Sequence, residues 1–228
     1  MNPAKLRAAR HGRGWTQVHA AERLGITPAY LNFLEHGKRR LTPNLARRVT
    51  QLYKLAPDVL PVPVPFKAVP ANDQKLVEML ARLEYPGFAH VPARTQKKNP
   101  LEVLLTALAQ PSLSARVAEA LPWVALNFVN ADLWPWLLEN ARKENLQNRL
   151  GFVVALAKRV AESRNDARAE ALGRLELALD QSRLAKEGFF YRPPYTETEK
   201  NWLRQNRTQD AAHWNLLTDM KPENLQYV

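Results

Sequence analysis

Four times in this sequence a helix-capping residue stands directly before proline: Asn2-Pro3, Thr27-Pro28, Thr42-Pro43 and Asn99-Pro100. Asn and Thr side chains satisfy N–H groups that a helix leaves bare at its start. Proline at the first helical position gives up an N–H that would be orphaned anyway. Asp73, Asn165/Asp166 and Thr196 offer further starts, and Thr196 with Glu199 has the spacing of a capping box. Between these starts apolar residues recur at helical spacing, and no run of five or more residues alternates with β-branched enrichment. The pattern predicts helices over 3–13, 17–24, 28–35, 43–54, 74–84, 100–110, 113–121, 133–145, 147–163, 167–187, 197–206 and 209–218. The fold class expected is all-α.

The charge is uneven along the chain. There are 33 Lys+Arg against 22 Asp+Glu, a net charge of +11. Residues 1–55 hold eleven of those bases and two acids, Glu22 and Glu35, so nine of the eleven net charges sit there. Residues 56–228 are close to neutral. A basic module of this kind points to a polyanionic partner. The join is marked by residues 56–72, APDVLPVPVPFKAVPAN, where five prolines alternate with valine and other residues. Such a stretch favours extended polyproline II and acts as a semi-rigid spacer; a docking motif for a proline-binding domain is the alternative. The division expected is an N-terminal domain of four to five helices at 1–56, a proline-rich linker at 57–72 and a multi-helix domain at 73–228.

The absence of cysteine excludes a disulfide framework, thiolate zinc sites, iron–sulfur ligation and a cysteine nucleophile. The longest apolar run, Ala120–Val129, contains Pro122 and Asn127 and falls well short of the ~18 residues of a membrane span. A cytoplasmic protein without a membrane partner is expected.

Residues 15–40, WTQVHAAERLGITPAYLNFLEHGKRR, repay closer reading. Thr16 caps a helix whose Val18, Ala21 and Leu24 would line one face. Gly25 ends it and permits the left-handed conformation that a tight turn needs. Ile26 plugs the turn, and Thr27 caps a second helix with Tyr30, Leu31 and Leu34 inward. Gly37 ends that one. Two short helices joined at a glycine turn form a helix-turn-helix unit.

This stretch resembles the phage Cro/repressor type of helix-turn-helix protein, the XRE family. The matching marks are Leu6 and Arg10, Trp15-Thr16-Gln17, Ala21 through Leu24-Gly25-Ile26-Thr27, Leu34-Glu35-His36-Gly37-Lys38, then Pro43–Leu45 and Leu52. The resemblance covers about residues 3–56. His19 stands where acidic residues are commoner, and Pro28 removes a side-chain donor from the head of the second motif helix. The resemblance implies a double-stranded DNA operator as partner and a homodimer reading two half-sites. It places Thr27, Pro28, Ala29, Asn32 and Phe33 toward base edges, with Asn32 as the amide reader of an adenine edge and Ala29 and Phe33 against thymine methyls. Gln17, Lys38, Arg39 and Arg40 would meet the phosphate backbone, and Arg10 with Glu35 would form a structural ion pair. Trp15 and Tyr30 read as core, and His36 as a loop residue. Arg47 and Arg48 lie on a helix that faces either solvent or DNA.

The region 73–228 concentrates aromatic residues, among them Trp123, Phe128, Trp134, Trp136, Phe152, Phe189, Phe190, Tyr191, Tyr195, Trp202 and Trp214. Most serve a core; Trp123, Trp134 and Trp136 are the candidates for binding a partner, since tryptophan is enriched at binding hot spots. His90 and His213 have no carboxylate at ligand spacing, and no glycine-rich phosphate loop or HExxH occurs. No catalytic residue, metal or cofactor is expected. The tract 121–157 resembles antitoxins paired with nucleotidyltransferase-type toxins, which implies a possible toxin partner. The first reading is therefore a DNA-binding regulator, a repressor or the antitoxin of a toxin–antitoxin pair. The alternative is a ligand-sensing regulator or an adaptor whose helical body is the functional element.

Overall fold

Three of the first four helices begin on a threonine hydroxyl. The structure, a computed structural model, describes residues 3–92, 94–128, 131–194 and 196–228; the cap read at Asn2 and the aromatic Tyr195 lie outside the described residues. Helix α1 spans Pro3–Gly12, α2 Gln17–Leu24, α3 Pro28–Glu35 and α4 Pro43–Tyr53. The Thr16, Thr27 and Thr42 hydroxyls accept from the N–H groups of His19, Tyr30 and Leu45. Each bond satisfies one of the donors that the helix start leaves open. Gly25 closes α2 with φ of 60°. The left-handed backbone is what calls for glycine at this turn; the Arg48 guanidinium, whose Nη2 lies 2.7 Å from where a Cβ would be, ends a flexible side chain that could move aside.

The described chain is all-α in class, and its contacts divide it into two compact units: residues 1–63 with 97–99, and residues 64–96 with 100–228. The first unit has its own core of Leu6, Ala20, Ala21, Leu24, Leu31, Leu34, Leu45, Val49 and Tyr53. One sequence expectation fails here. Val18 is 55% exposed rather than facing inward. The buried stripe of α2 runs through Ala20, Ala21 and Leu24, with half-buried Gln17 completing the i, i+3, i+4, i+7 pattern. Val18 lies about 100° around the helix from Gln17.

In the proline-rich segment the side chains are not idle. Pro57–Val59 forms a short 3-10 turn with Pro57 buried. Asn99, itself buried, donates through Nδ2 to the carbonyls of Asp58 at 3.1 Å and Leu60 at 2.7 Å. Further along, Gln110 donates to the Val69 carbonyl and accepts from the Ala71 N–H. Phe66 is buried against the core of the second unit and meets Trp136 edge-on, with ring centroids 5.8 Å apart.

The second unit contains α5 (Asp73–Arg82), α6 (Pro100–Leu108), α7 (Ala115–Phe128), α8 (Trp134–Lys143), α9 (Gln147–Ser163), α10 (Arg168–Asp180), β1 (Gly188–Phe189), α11 (Glu197–Asn206), α12 (Gln209–His213) and β2 (Leu216–Leu217). Helix α9 is its axis. Buried from Gln147 to Ala161 along most of its length, it packs against α7 and α10 and also meets α6, α8 and α12. Gly151 on α9 leaves room for the fully buried Trp214, whose ring atoms lie 2.3–2.5 Å from where a Cβ would be. Arg149 donates to the carbonyls of Leu108, Gln110 and Phe189 and lies 4.8 Å from the Phe189 ring centroid. Burial pulls its pKa below the usual arginine value.

Three helix ends differ from the sequence reading by more than two residues. Helix α7 runs through Pro122 to Phe128 instead of stopping at 121. Proline forfeits one intrahelical bond, but Leu121, Pro122, Val124, Ala125 and Leu126 are all buried there, and burial carries the helix onward. Helix α10 ends at Asp180, not 187. Downstream, Asn148 accepts from the Leu184 N–H and donates to its carbonyl, and Asn215 donates to that carbonyl as well, in place of a continuing helix. Helix α12 ends at His213 because Asn215 adopts φ of 53°. Leu216–Leu217 then pairs in parallel with Gly188–Phe189, a two-residue ladder that alternation could not reveal.

Candidate nucleic-acid interface

The geometry of the first unit is organised by a buried charge. Arg10 on α1 donates from Nε to Glu35 Oε1 at 2.7 Å and from Nη2 to Oε2 at 3.0 Å. The residues are 5% and 4% exposed. A buried carboxylate needs such two-point pairing to offset its lost hydration. Burial pushes the Glu35 carboxyl up, but the hydrogen bonds from Arg10 and Gln17 and the charges of Arg10 and Arg7 outweigh it, and the net shift is downward. Arg10 also donates from Nη1 to the Trp15 carbonyl at 2.7 Å. One guanidinium thus ties α1 to the entry of α2 and to the end of α3.

Gln17 extends the network. Its Nε2 donates to Glu35 Oε2 at 2.9 Å, and its Oε1 accepts from Asn32 Nδ2 at 3.4 Å. The two amides placed toward DNA from the sequence therefore bond each other, and both side chains are half-buried. Thr27, Pro28 and Ala29 are exposed, and Phe33 is 42% exposed. On the opposite side of α3, Leu31, Leu34 and Glu35 are buried, with Tyr30 half-buried against the core. Lys38, Arg39 and Arg40 follow α3 on the surface, with Lys38 Nζ 5.9 Å from the Phe33 ring centroid.

Other basic residues of the unit are engaged in ways the sequence did not signal. Arg13 donates from Nε and Nη2 to the Tyr53 carbonyl at 3.0 and 2.6 Å, at the C-terminal end of α4, where a cation is favoured. Arg23 lies 4.6 Å from the Trp15 ring centroid and donates to His19 Nε2 at 2.9 Å. Trp15 is half-buried and meets Tyr53 edge-on. His36 is exposed, its Nδ1 2.9 Å from the Asn32 carbonyl. Arg47 donates to Asn44, and Arg48 lies over the Gly25 turn. The pairs Arg23–His19, His36–Asn32 and Arg47–Asn44 are one helical turn apart, whereas Arg13 reaches Tyr53 across forty positions, beyond any local pattern.

In the second unit, Trp123, Trp134 and Trp136 are half-buried and packed on the core. Trp123 meets Tyr85 and Phe128 edge-on, and the Trp134 indole nitrogen is buried without a hydrogen-bond partner. Trp202, at 53%, is the more exposed tryptophan. Among the described residues no group of three or more His, Cys, Asp or Glu is placed to hold a metal ion, and no helix is long and apolar enough to cross a membrane.

Two short helices meeting at a left-handed glycine, braced through a buried ion pair and presenting one face of the second helix, define a DNA-binding helix-turn-helix domain. Comparison with known families agrees: residues 4–61 match the model of a helix-turn-helix domain. Neither the curated proteins nor the solved structures compared with this chain yield a match.

Proposed function

We propose that the protein is a sequence-specific, XRE-type transcriptional regulator, acting as a repressor in the cytoplasm. The observation that carries this reading is the exposed face of α3, flanked by Lys38, Arg39 and Arg40, on the helix-turn-helix domain. The N–H groups at the start of α2 suit a phosphate, and the start of α3 suits the major groove. Residues 1–56 form the reading head, 57–72 the connection and 73–228 the body. Two heads on half-sites ~34 Å apart would match a two-fold symmetric dimer. Within the same reading the body binds a protein, a nucleotidyltransferase-type toxin, and the chain is an autoregulating antitoxin. The near-neutral charge of residues 56–228 and their concentration of aromatic residues support a protein partner over a second nucleic-acid surface.

The test is a DNA-binding titration across salt concentrations. Lys38→Ala or Arg39→Ala should weaken binding to every sequence and reduce the salt slope by about 1 each. Unchanged affinity in both variants would refute the docking. The partner reading is checked by purifying the protein together with the product of the adjoining gene; separate elution would remove it.

A further inference from the structure

Helix α6 begins at Pro100, and all of its residues except Glu102 are buried. The residue before it, Asn99, is 1% exposed and belongs by its contacts to the first unit. A buried amide needs partners for its hydrogens. Both hydrogens of Asn99 Nδ2 go to the short turn that follows α4, to the Asp58 carbonyl at 3.1 Å and the Leu60 carbonyl at 2.7 Å. A turn of three residues has no later N–H of its own to offer such carbonyls. Pro57 and Leu60 are buried there, and the Val59 and Leu60 N–H groups donate to the carbonyls of Ala56 at 3.3 Å and Pro57 at 3.1 Å. Just before the turn, Leu55 packs on the core of the first unit, and the carbonyl of buried Tyr53 is held by Arg13 of α1. The match to the helix-turn-helix family stops at residue 61. The side chain that completes its last turn therefore comes from outside the matched sequence, 39 positions beyond Leu60. A residue before proline is restricted to extended backbone, so Asn99 has little freedom of its own and moves with the start of α6.

We propose that Asn99 is a latch that completes the DNA-binding domain and through which the state of α6 reaches the reading head. Closed, it holds the turn, and the turn holds the end of α4 at Tyr53 and Leu55. A protein or ligand that displaces the start of α6 draws Asn99 away from two carbonyls, and the end of the head loosens. A loosened head binds DNA less tightly, because only the folded head docks. This last consequence rests on the reading that the first unit docks on DNA.

The test is hydrogen exchange, followed by nuclear magnetic resonance, on the full-length protein. Asn99→Asp keeps a helix-capping oxygen before Pro100 and removes both donors. In it the Val59 and Leu60 amides should exchange roughly thirtyfold faster, the value of two hydrogen bonds, with the α9 amides unchanged. Leu101→Ala loosens α6 and leaves Asn99 in place. It should speed the Val59 and Leu60 amides in the wild-type background and add nothing there beside Asn99→Asp. An asparagine that merely packed would leave the Leu101→Ala effect equal in both backgrounds. That result, or no effect in either, overturns the proposal. A second measurement needs only the wild-type chain. A duplex selected from random-sequence DNA, present at 100 times its Kd, should slow the Asn99 Nδ2 hydrogens and the α4 amides by a common factor of up to about 100. Slowing in α4 with none at Asn99 also overturns the proposal, and the DNA reading stands. If no duplex is enriched and none slows α4, the DNA reading fails, and the Leu101→Ala comparison alone decides the latch.

Discussion

Glu35 shows how much one side chain can organise. Its two oxygens receive Arg10 from α1 and Gln17 from α2 while its backbone ends α3. Glu35→Ala would leave Arg10 buried without its partner, and such breaks cost about 3–5 kcal/mol; urea unfolding followed by circular dichroism measures it. The pair also sets a pH dependence. The folded carboxyl is held below its ordinary value, so its contribution is fully present above the unfolded pKa of about 4.3. It is lost as pH falls through the lower, folded value. The wild-type protein should therefore lose stability on acidification below about pH 4 more steeply than Glu35→Gln, in which no carboxylate is left to protonate. Equal acid limbs would show that the pair does not couple to folding.

At the scale of elements, close approach decides as much as helix propensity. Gly151 would ordinarily weaken the middle of α9 by about 1 kcal/mol relative to alanine. Here it accommodates the fully buried Trp214, and a methyl would meet ring carbons at 2.3–2.5 Å. Gly151→Ala should accordingly destabilise by about 1–3 kcal/mol, as overpacking does, against the gain that propensity alone forecasts. A raised melting temperature would contradict the packing seen around Trp214. The caps are more predictable. Thr16→Ala and Thr27→Ala should each cost about 1 kcal/mol through the lost bonds to His19 and Tyr30.

Across the whole molecule the charge divides more sharply by unit than along the sequence. Residues 1–63 with 97–99 hold thirteen Lys and Arg against Glu22, Glu35 and Asp58, a net +10; the remaining twenty bases face nineteen acids, a net +1. In the second unit many cations face a carboxylate, as in Arg159 with Asp210, Lys158 with Glu176 and Arg204 with Glu187. Replacing Arg142 and Lys143 together by alanine should therefore leave the salt dependence of DNA binding unchanged. The pair Lys38 and Arg39 should lower the slope by about 2. A slope that falls equally in both double variants would place nucleic acid on the second unit as well.

What the sequence determined by itself was local. The threonine caps Thr16 and Thr27, Gly25 and the 3.6-residue spacing define α2, the turn and α3 within a few positions, because caps, a left-handed glycine and an apolar stripe act over one or two turns of chain. The uneven charge was equally legible, being a matter of counting. Only the tertiary structure decided that Val18 faces out and that Gln17 and Asn32 bond each other. The same holds for α7 passing through Pro122, and for Leu184, which two asparagines hold at the point where the sequence would have continued α10. For Gln17 with Asn32, and for Leu184 with its two asparagines, the deciding partner lies at least fifteen residues away; for Val18 and Pro122 it is which face of the helix is buried, and burial or a satisfied polar group outweighs the few tenths of a kcal/mol by which neighbouring residues prefer one conformation over another. The sequence therefore specifies where a reading helix begins and ends, and the packed unit specifies which of its side chains are left to read.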